Sequence, residues 1–493
     1  MGNISPSPDA QKLAALFTSH FGNAPESVEP LAASGSDRRI HRLRGAGRSV
    51  IGVVNGDISE NRAFLGFSKH FRAEGLPVPA IFAESADLGA YLEEDLGDTT
   101  LFEFLLAGRT PDSNEVPPAA AAIYEAAVRM LPEFQVRAGR GIDESLCHPR
   151  SRFDRQSMMW DLNYFKYYFL KLAQVPFHEQ ALEDDFVALT GFLLTAPSEF
   201  FVYRDFQSRN IMVRDGAPWF IDYQGGRRGA LQYDLASVLV DAKADLPMEF
   251  RAHLVGVYLQ ALEKHHPVSR GQFLEHLDGF ILIRILQAMG AYGFRGFYER
   301  RTHFLQSVPY AIRNLESLLG AARIPVRLPA LFDVLHSITR STRLREIARV
   351  ALPLTVRIES FSYKHGPPAD ESGHGGGFVF DCRILPNPGR EPRYAGLAGD
   401  DAEVVSWLEA RDEVHSFLTR VRDLTGQVVE GYSRRNFTHL SIAFGCTGGQ
   451  HRSVYCATQL AKHLAQHGAL RVDLRHRDVK RIQKTTTEPR AAT

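Results

Sequence analysis

The sequence predicts an α+β protein built from more than one module, because β-prone and helical stretches separate along the chain. Of its 493 residues, 44% are hydrophobic and 23% are charged, a composition that favours packed cores over disorder. A chain of this length exceeds what one hydrophobic core usually serves. The expected order is a strand-rich start, a long aromatic-rich helical middle and a glycine-rich end.

Charge, cysteine content and hydropathy exclude several functional classes. The 57 basic residues balance 57 acidic ones, so no global field points to nucleic acid or an anionic membrane. Four cysteines, with no CxxC pair, are too few for a disulfide framework. The N-terminus lacks the apolar core of a signal peptide, and the most apolar stretch, 280–294, is shorter than a membrane span needs. We therefore expect a cytoplasmic protein without a membrane partner, in which 280–294 is a buried helix.

The predicted elements define two lobes and a second module. Residues 10–95 form a small lobe, whose predicted elements are a hairpin at 40–43 and 50–54, an amphipathic helix at 60–74, and short strands at 80–83 and 90–93. A mainly helical large lobe, 96–325, is interrupted by a strand-like patch at 200–222. The remaining segments are a linker at 326–352, an α/β module at 353–478 and a basic tail at 479–493.

The densest chemical signal is the run Phe201–Met212, followed by an apolar strand that ends at Asp222. Phosphoryl transfer needs a carboxylate that orients the attacking hydroxyl, and oxygen ligands that hold Mg²⁺ against the phosphates of ATP. Asp205 and Asn210, five positions apart, can point into one cleft, where Asp222 also arrives. The ordered set predicts a kinase site. The alternatives are that the three residues only cap turns and end a strand, or that the site is a decayed pseudokinase.

These motifs resemble the aminoglycoside-phosphotransferase and choline-kinase-like superfamily over roughly the first 325 residues, and particularly the bacterial cell-wall amino-sugar kinases called AmgK. The resemblance implies a two-lobed protein-kinase-like fold, with Asp205 as catalytic base and Asn210 and Asp222 as magnesium ligands. It also implies ATP as the donor and Asp234 as a buried carboxylate that stabilises the loop. Tyr203 replaces the usual histidine.

The resemblance further implies where nucleotide and acceptor bind. The nucleotide contacts would come from a phosphate-covering loop and an interlobe hinge, at Ser34, Gly35, Ser36, Arg38, Glu94 and Leu96. The acceptor would face Trp160, Asp161 and Tyr164, although an aromatic stripe on a helix is as often simply core. The lysine that most kinases of this fold place on the second strand of the hairpin is missing, and Arg38 or Arg39 could supply its charge.

A phosphate site is predicted in the C-terminal module. The run Cys446–Ser453 follows an apolar strand and opens a helix, so glycine-turn N–H groups, the helix start and an arginine converge. With Ser360–Gly366, Phe380–Pro388 and His476–Asp478, this run resembles the C-terminal domain of RapZ, an adaptor that senses glucosamine-6-phosphate and binds small RNA. The resemblance implies a pocket for an amino-sugar phosphate, formed by His365, Thr447, Gly448, His451 and Arg452.

Two alternatives remain for this module. Cys446 and Arg452 also satisfy the cysteine phosphatase signature. The tail from Arg471 carries seven basic against three acidic residues and could contact RNA, although a solvated terminus is the simpler interpretation. Taken together, the sequence predicts a kinase of a sugar or amino sugar joined to a module that senses a sugar phosphate. The competing hypothesis is a non-enzymatic adaptor that binds nucleotide, sugar phosphate and possibly RNA.

Overall fold

Three hydrophobic clusters organise the computed structural model of the chain. It describes residues 7–31, 38–110, 113–321, 323–347, 354–368, 377–434, 437, 439–466 and 470–479, to which all structural statements refer. One cluster covers the outer face of the first sheet, and the largest runs from Val53 to Leu344. The third holds the C-terminal module together, from Leu354 to Leu464. The chain therefore folds around separate N-terminal and C-terminal cores.

The small lobe is a five-stranded antiparallel sheet in the order β1-β2-β3-β5-β4. Its elements are α1 (Pro8–Phe21), β1 (Ser27–Pro30), β2 (Arg39–Gly45), β3 (Arg48–Val54), α2 (Ile58–Ala73), β4 (Ile81–Glu84) and β5 (Ala90–Glu94). Ala46 and Gly47 join β2 to β3 with φ of 52° and 73°, the left-handed pair that a tight hairpin requires. Successive side chains of β5 point to opposite faces of the sheet, so Leu92 packs on α1 while Tyr91 stacks on Phe64 of α2. The predicted hairpin and helix are confirmed.

The large lobe is mainly helical and carries two short two-stranded sheets, β6-β9 and β7-β8. Its elements up to the last core helices are α3 (Leu101–Gly108), α4 (Pro118–Pro132), α5 (Arg155–Tyr164), α6 (Glu179–Leu193), β6 (Phe200–Val202), β7 (Ile211–Arg214), β8 (Ala217–Phe220), β9 (Arg227–Gly229), α7 (Gln232–Leu239), α8 (Met248–Leu262), α9 (Arg270–Gly293) and α10 (Val308–Ala321). The short strands place the run from Phe201 to Asp222 at the top of this lobe, facing the small lobe.

Helix α9 crosses the middle of the large lobe. With its continuation it spans Arg270–Tyr298 and is long and apolar enough to cross a membrane, yet most of it is buried inside the protein. Leu282, Ile283, Leu286 and Met289 have no exposed surface. A mostly buried apolar helix is what the core of a globular lobe contains, so the expectation of a buried helix at 280–294 is confirmed.

The segment predicted as a linker forms two further helices, α11 (Pro329–Arg340) and α12 (Thr342–Glu346). Leu331, Leu335 and Ile338, spaced on one face of α11, are fully buried in the large cluster, where α11 packs against α6 and α10. The backbone N–H of Leu331 also donates to Asp185 of α6 at 2.7 Å. Most of 326–347 is therefore part of the large-lobe packing.

The C-terminal module is a four-stranded parallel sheet in the order β11-β12-β10-β13. Its elements are β10 (Leu354–Ser362), β11 (Phe378–Asp381), α13 (Ala402–Glu409), α14 (Asp412–Arg434), β12 (His439–Cys446), α15 (Arg452–Leu464) and β13 (Leu470–His476). The predicted strand, glycine turn and helix are confirmed as β12, its loop and α15. Because the strands are parallel, Ser362, Asp381, Cys446 and His476 end at the same edge of the sheet, which is where such sheets bind ligands.

Candidate functional site

Asp205, Asn210 and Asp222 meet where the two lobes face each other. The side-chain amide of Asn210 donates to Oδ2 of Asp222 at 3.0 Å and to the backbone oxygen of Asp205 at 2.9 Å. Burial, followed by the charge of Asp222, raises the pKa of Asp205 above its ordinary value. The structure therefore brings together the three side chains that the sequence spacing singled out.

Asp234 holds the backbone that precedes Asp205. Its fully buried carboxylate accepts from the backbone N–H of Tyr203 at 2.8 Å and of Arg204 at 2.9 Å. Arg204 has φ of 79°, a conformation that costs a non-glycine residue about 1 kcal/mol or more, and Asp234 fixes it there. The hydroxyl of Tyr203 donates to the carbonyl of Ile221, so this tyrosine ties the loop to the segment that carries Asp222.

Arg38 supplies a positive charge where lysine is missing. Its guanidinium contacts the carboxylate of Asp222, and Nη2 lies 3.7 Å from Oε1 of Glu60 on α2. Val53, on the strand that lacks the lysine, is buried in the core. Arg39, the other candidate, is exposed and pairs instead with Asp9 of α1. Arg38 is thus the arginine that reaches the site, and Glu60 is a contact that the sequence interpretation missed.

The remaining nucleotide contacts predicted from the sequence have different surroundings. Ser34, Gly35 and Ser36 lie outside the described residues. The carboxylate of Glu94 accepts a hydrogen bond from Arg214 at 2.6 Å. Leu96 is buried where the chain passes from the small lobe to the large lobe. The neighbouring Glu93 escaped the sequence interpretation, although an acid in an apolar strand is an unusual signal. Burial raises its pKa to about 8, and its Oε2 has no hydrogen-bond partner among the described residues.

A cavity of about 350 Å³ opens beside Asp205 on the large-lobe side. Its lining comes from the loop after β6, the loop after α7, and α9 with the turn that follows, namely Asp205, Gln207, Arg209, Asp241, Lys243, Arg284, Gln287, Ala288, Ala291, Tyr292, His303, Phe304 and Ser307. Trp160, Asp161 and Tyr164, expected at the acceptor, are not among these residues. Asp161 is buried in an ion pair with Arg204 at 3.0 Å, so the structure gives it a supporting position behind the loop.

The C-terminal loop is built around Asp478, which has no exposed surface. One carboxylate oxygen accepts from the backbone N–H of Ser362 at 2.6 Å, and the other lies 2.9 Å from Nδ1 of His365. Gly449 has φ of 69°, and a Cβ there would lie 2.9 Å from the nitrogen of Ser362. The close packing of this loop therefore requires glycine, while Thr447 at the loop tip is exposed.

The other residues expected in this pocket point partly into the protein. His451 bonds the carbonyl of Tyr394 at 2.8 Å, and burial lowers its pKa. Arg452 donates from Nη1 to the carbonyls of Arg383 and Leu385, both at 3.0 Å. The thiol of Cys446 is buried against the hydroxyl of Ser453 at 3.2 Å. A buried thiol and an arginine engaged by carbonyls favour a structural cysteine over a phosphatase nucleophile.

Comparison with known proteins assigns both modules. Residues 27–271 match the phosphotransferase enzyme family, and residues 354–480 match the RapZ C-terminal domain. The chain therefore contains a domain of the phosphotransferase enzyme family and a RapZ C-terminal domain. Both resemblances predicted from the sequence motifs are confirmed, together with the two-lobed kinase-like fold and the separate α/β domain. The acceptor and the individual residue roles stay predictions.

Two curated relatives match different shares of the chain. A nucleotide-binding protein of Thioalkalivibrio sulfidiphilus, Tgr7_0722, is 33% identical over 264 residues, which cover 50% of this chain and 82% of that protein. The RNase adapter protein RapZ of Yersinia pseudotuberculosis is 38% identical over 146 residues, 30% of this chain. This chain spans about half of RapZ's own length, 49%.

Solved structures of small-molecule kinases are also similar. An ethanolamine kinase of Plasmodium vivax is 13% identical, with a TM-score of 0.43 over 61% of this chain and 86% of that one. A choline kinase of Cryptosporidium parvum is 13% identical, with a TM-score of 0.42 over 63% of this chain and 98% of that one.

Proposed function

We propose that this phosphotransferase moves the γ-phosphoryl group of ATP, with Mg²⁺, to a hydroxyl group of a sugar or amino sugar in the cytoplasm. The observation that carries the proposal is the meeting of Asp205, Asn210 and Asp222 beside a cavity large enough for a hexose. These are the residue types that phosphoryl transfer to an alcohol needs, one to steer the hydroxyl and two to hold a hard cation.

Asp222 offers a carboxylate, an oxygen ligand that Mg²⁺ takes in proteins, and donor groups in the structure face it where a cation would bind. Arg38, Asn210 and Gln224 all donate to it, the last at 2.8 Å. Among the described residues no group of three or more His, Cys, Asp or Glu side chains could hold a metal ion alone. Magnesium usually takes only one or two protein carboxylates and completes its shell with phosphate and water oxygens. When bound, it would neutralise the charge of the phosphates.

The chain's own residues then prepare the acceptor. Asp205 orients the acceptor hydroxyl and receives its proton as the bond to phosphorus forms. The raised pKa of Asp205 brings its basicity closer to what proton removal near neutral pH requires. Asp234 and Arg204 keep the Asp205 backbone in place. Arg38, beside Asp222, offers a positive charge that can stabilise the phosphates when they bind.

We further propose that the C-terminal domain binds a sugar phosphate through His365, Thr447, Gly448, His451 and Arg452 and thereby regulates the kinase. The contact between the modules supports this link. Arg471 of β13 reaches Asp245 of the large lobe at 2.6 Å, two residues after the cavity-lining Lys243. The opposite end of the same strand leads to Asp478 in the C-terminal loop. One strand thus runs from the contact with the large lobe to the C-terminal loop, and this connection supports a coupling between the two sites.

A screen of sugars and amino sugars with labelled ATP tests the enzymatic proposal. We expect a phosphorylated product that requires Mg²⁺ and is lost in Asp205→Asn. ATP binding without any Asp205-dependent transfer would favour the competing adaptor function, in which a kinase fold only binds nucleotide. RNA binding by the C-terminal domain belongs to that alternative.

A further inference from the structure

Glu93 is an acidic residue on the inner face of the small-lobe sheet. It lies near the end of β5, where it is paired in register with Ile51 of β3. Two residues earlier, and therefore on the same face, Tyr91 stacks on Phe64 of α2 with 5.3 Å between the ring centroids. After Glu93 the chain leaves β5 and passes to the large lobe. Glu93 thus faces the side of α2, close to the point where the two lobes join.

The charges that act on Glu93 place it at the cleft between the lobes. Arg38 and Asp222, which contact each other in the proposed phosphate site, both act on its carboxyl. Burial is the main reason that the pKa of Glu93 is raised to about 8; the charge of Arg38 opposes this rise, while Asp222 and Asp95 add to it. At neutral pH most Glu93 carboxyls are therefore uncharged and need no counter-ion.

The carboxyl of Glu93 has hydrogen-bonding capacity that the described part of the chain does not use. Its Oε2 is buried and has no partner there, whereas most buried polar side-chain atoms in proteins have one. A neutral carboxyl offers one O–H donor and one carbonyl acceptor. The residue as a whole is only partly buried, and the terminal torsion of a glutamate turns freely, so either oxygen can meet a ligand in the cleft.

Adenine presents the matching pair of groups. Its 6-amino group donates and its N7 accepts, and the side-chain amides of asparagine and glutamine read adenine through these two atoms. A neutral carboxyl has the same arrangement of one donor and one acceptor as a side-chain amide. Guanine presents two acceptors, O6 and N7, at the same edge, so a carboxyl cannot pair with both.

We propose that Glu93 selects adenine as the base of the bound nucleotide, by accepting a hydrogen bond from the 6-amino group and donating one to N7. The inference rests on the proposed function, because it concerns the phosphoryl donor, whose phosphates would lie at Arg38 and Asp222. The predicted nucleotide contacts Glu94 and Leu96 follow directly in the chain, so the base lies within reach of Glu93. Glu93 thereby determines which nucleotide binds, and it takes no part in the transfer itself.

Nucleotide binding to the full chain tests the inference. Calorimetric titrations at pH 7 with Mg²⁺ compare ADP, IDP and GDP, which bind without turnover. IDP carries an oxygen at C6 in place of the amino group of ADP, so it isolates the proposed contact. We expect ADP to bind about tenfold or more tightly than IDP and GDP, as a two-bond contact to one base edge allows.

Two variants assign the preference to Glu93. Glu93→Gln keeps one acceptor and one donor and should retain the preference, whereas Glu93→Leu should lower the ratio of ADP to IDP affinity by about tenfold. Both variants remove a desolvated acid, so both should fold, which a thermal melt checks. Glu84→Leu is the matched control on the neighbouring strand β4, because this exposed glutamate pairs with Lys69 at 2.7 Å. It should leave the ratio unchanged.

The outcomes separate the two proposals. Equal binding of the three nucleotides, tighter binding of GDP, or an unchanged ratio in Glu93→Leu overturns the inference, while transfer to any hydroxyl keeps the kinase function. Loss of the preference in Glu93→Gln as well as in Glu93→Leu also overturns the proposed pair of hydrogen bonds. A preference for ADP that depends on Glu93, without any transfer, supports the base contact and removes the kinase function.

Discussion

Arg204 lies next to the proposed base Asp205, and its guanidinium is enclosed by an acid and two rings. Both terminal nitrogens donate to the carboxylate of Asp161, at 3.0 and 3.1 Å. The ring centroids of Phe153 and Tyr233 lie 4.5 and 4.8 Å from its Cζ. Only 14% and 12% of the Arg204 and Asp161 side chains are exposed. Asp161→Asn keeps the shape of the acid but removes its charge, so we predict a large loss of stability in the large lobe.

The magnitude follows from the burial of the pair. Removing one partner of a buried ion pair costs about 3–5 kcal/mol, because the other charge stays desolvated. The two rings continue to stabilise the cation, which places Asp161→Asn at the lower end, about 3 kcal/mol. In a unit of this size 1 kcal/mol lowers Tm by about 2–4 °C, so the expected fall is about 6–12 °C.

Differential scanning calorimetry of the full chain measures this shift. The matched control is Lys69→Gln, which breaks the pair with Glu84, also short at 2.7 Å but with side chains 57% and 38% exposed. Exposed pairs contribute at most about 1 kcal/mol, so the control should shift Tm by only a few degrees. A shift in Asp161→Asn no larger than in the control would refute the reasoning that this pair supports the loop.

Further outcomes concern the buried acid, the C-terminal loop and the contact between modules. Burial raises the pKa of Asp234 to about 6 from 3.8, so its share of the stability is present at low pH and is lost as pH rises through 6. Urea unfolding should show the wild type losing roughly 2 kcal/mol of stability relative to Asp234→Asn between pH 4 and 7; a constant difference would contradict this. Gly449→Ala, at a φ of 69°, should lower stability by about 1 kcal/mol or more and weaken glucosamine-6-phosphate binding in calorimetry; unchanged binding would argue against the loop as the site. Arg471→Gln should leave the basal kinase rate intact, because Asp245 keeps Arg313 at 2.9 Å, but should abolish any response of that rate to glucosamine-6-phosphate. A response equal to that of the wild type would show that coupling does not pass through Arg471.

The parts of the site that follow from local spacing could be predicted from the sequence. Asp205 and Asn210 share one short loop, and Asp222 ends the next hairpin, so their meeting depends on few residues. The glycine turn after β12 could be placed for the same reason, because strand, turn and helix are continuous in the chain.

The features that depend on packing between distant segments of the chain could not be predicted from the sequence. Asp161 was expected at the acceptor, but only the packing of α5 behind the loop pairs it with Arg204. Arg284 interrupts an apolar helix in the sequence, and only the fold shows that it faces the cavity. The amphipathic pattern of α11 predicts a helix, but it does not predict that this helix packs against α6 and α10. In each case the partner is far away in the chain, where periodicity carries no information.

Phosphoryl transfer itself is the most direct test. Phosphorus NMR should follow ATP and the best acceptor with the wild type, with Asp205→Asn and after chelation of Mg²⁺. We expect a new phosphate ester that disappears without Mg²⁺ and forms about 10²–10⁴-fold more slowly in Asp205→Asn, while calorimetry shows that the variant still binds nucleotide. Equal rates of ester formation in the wild type and Asp205→Asn would contradict the assignment of Asp205 as the base.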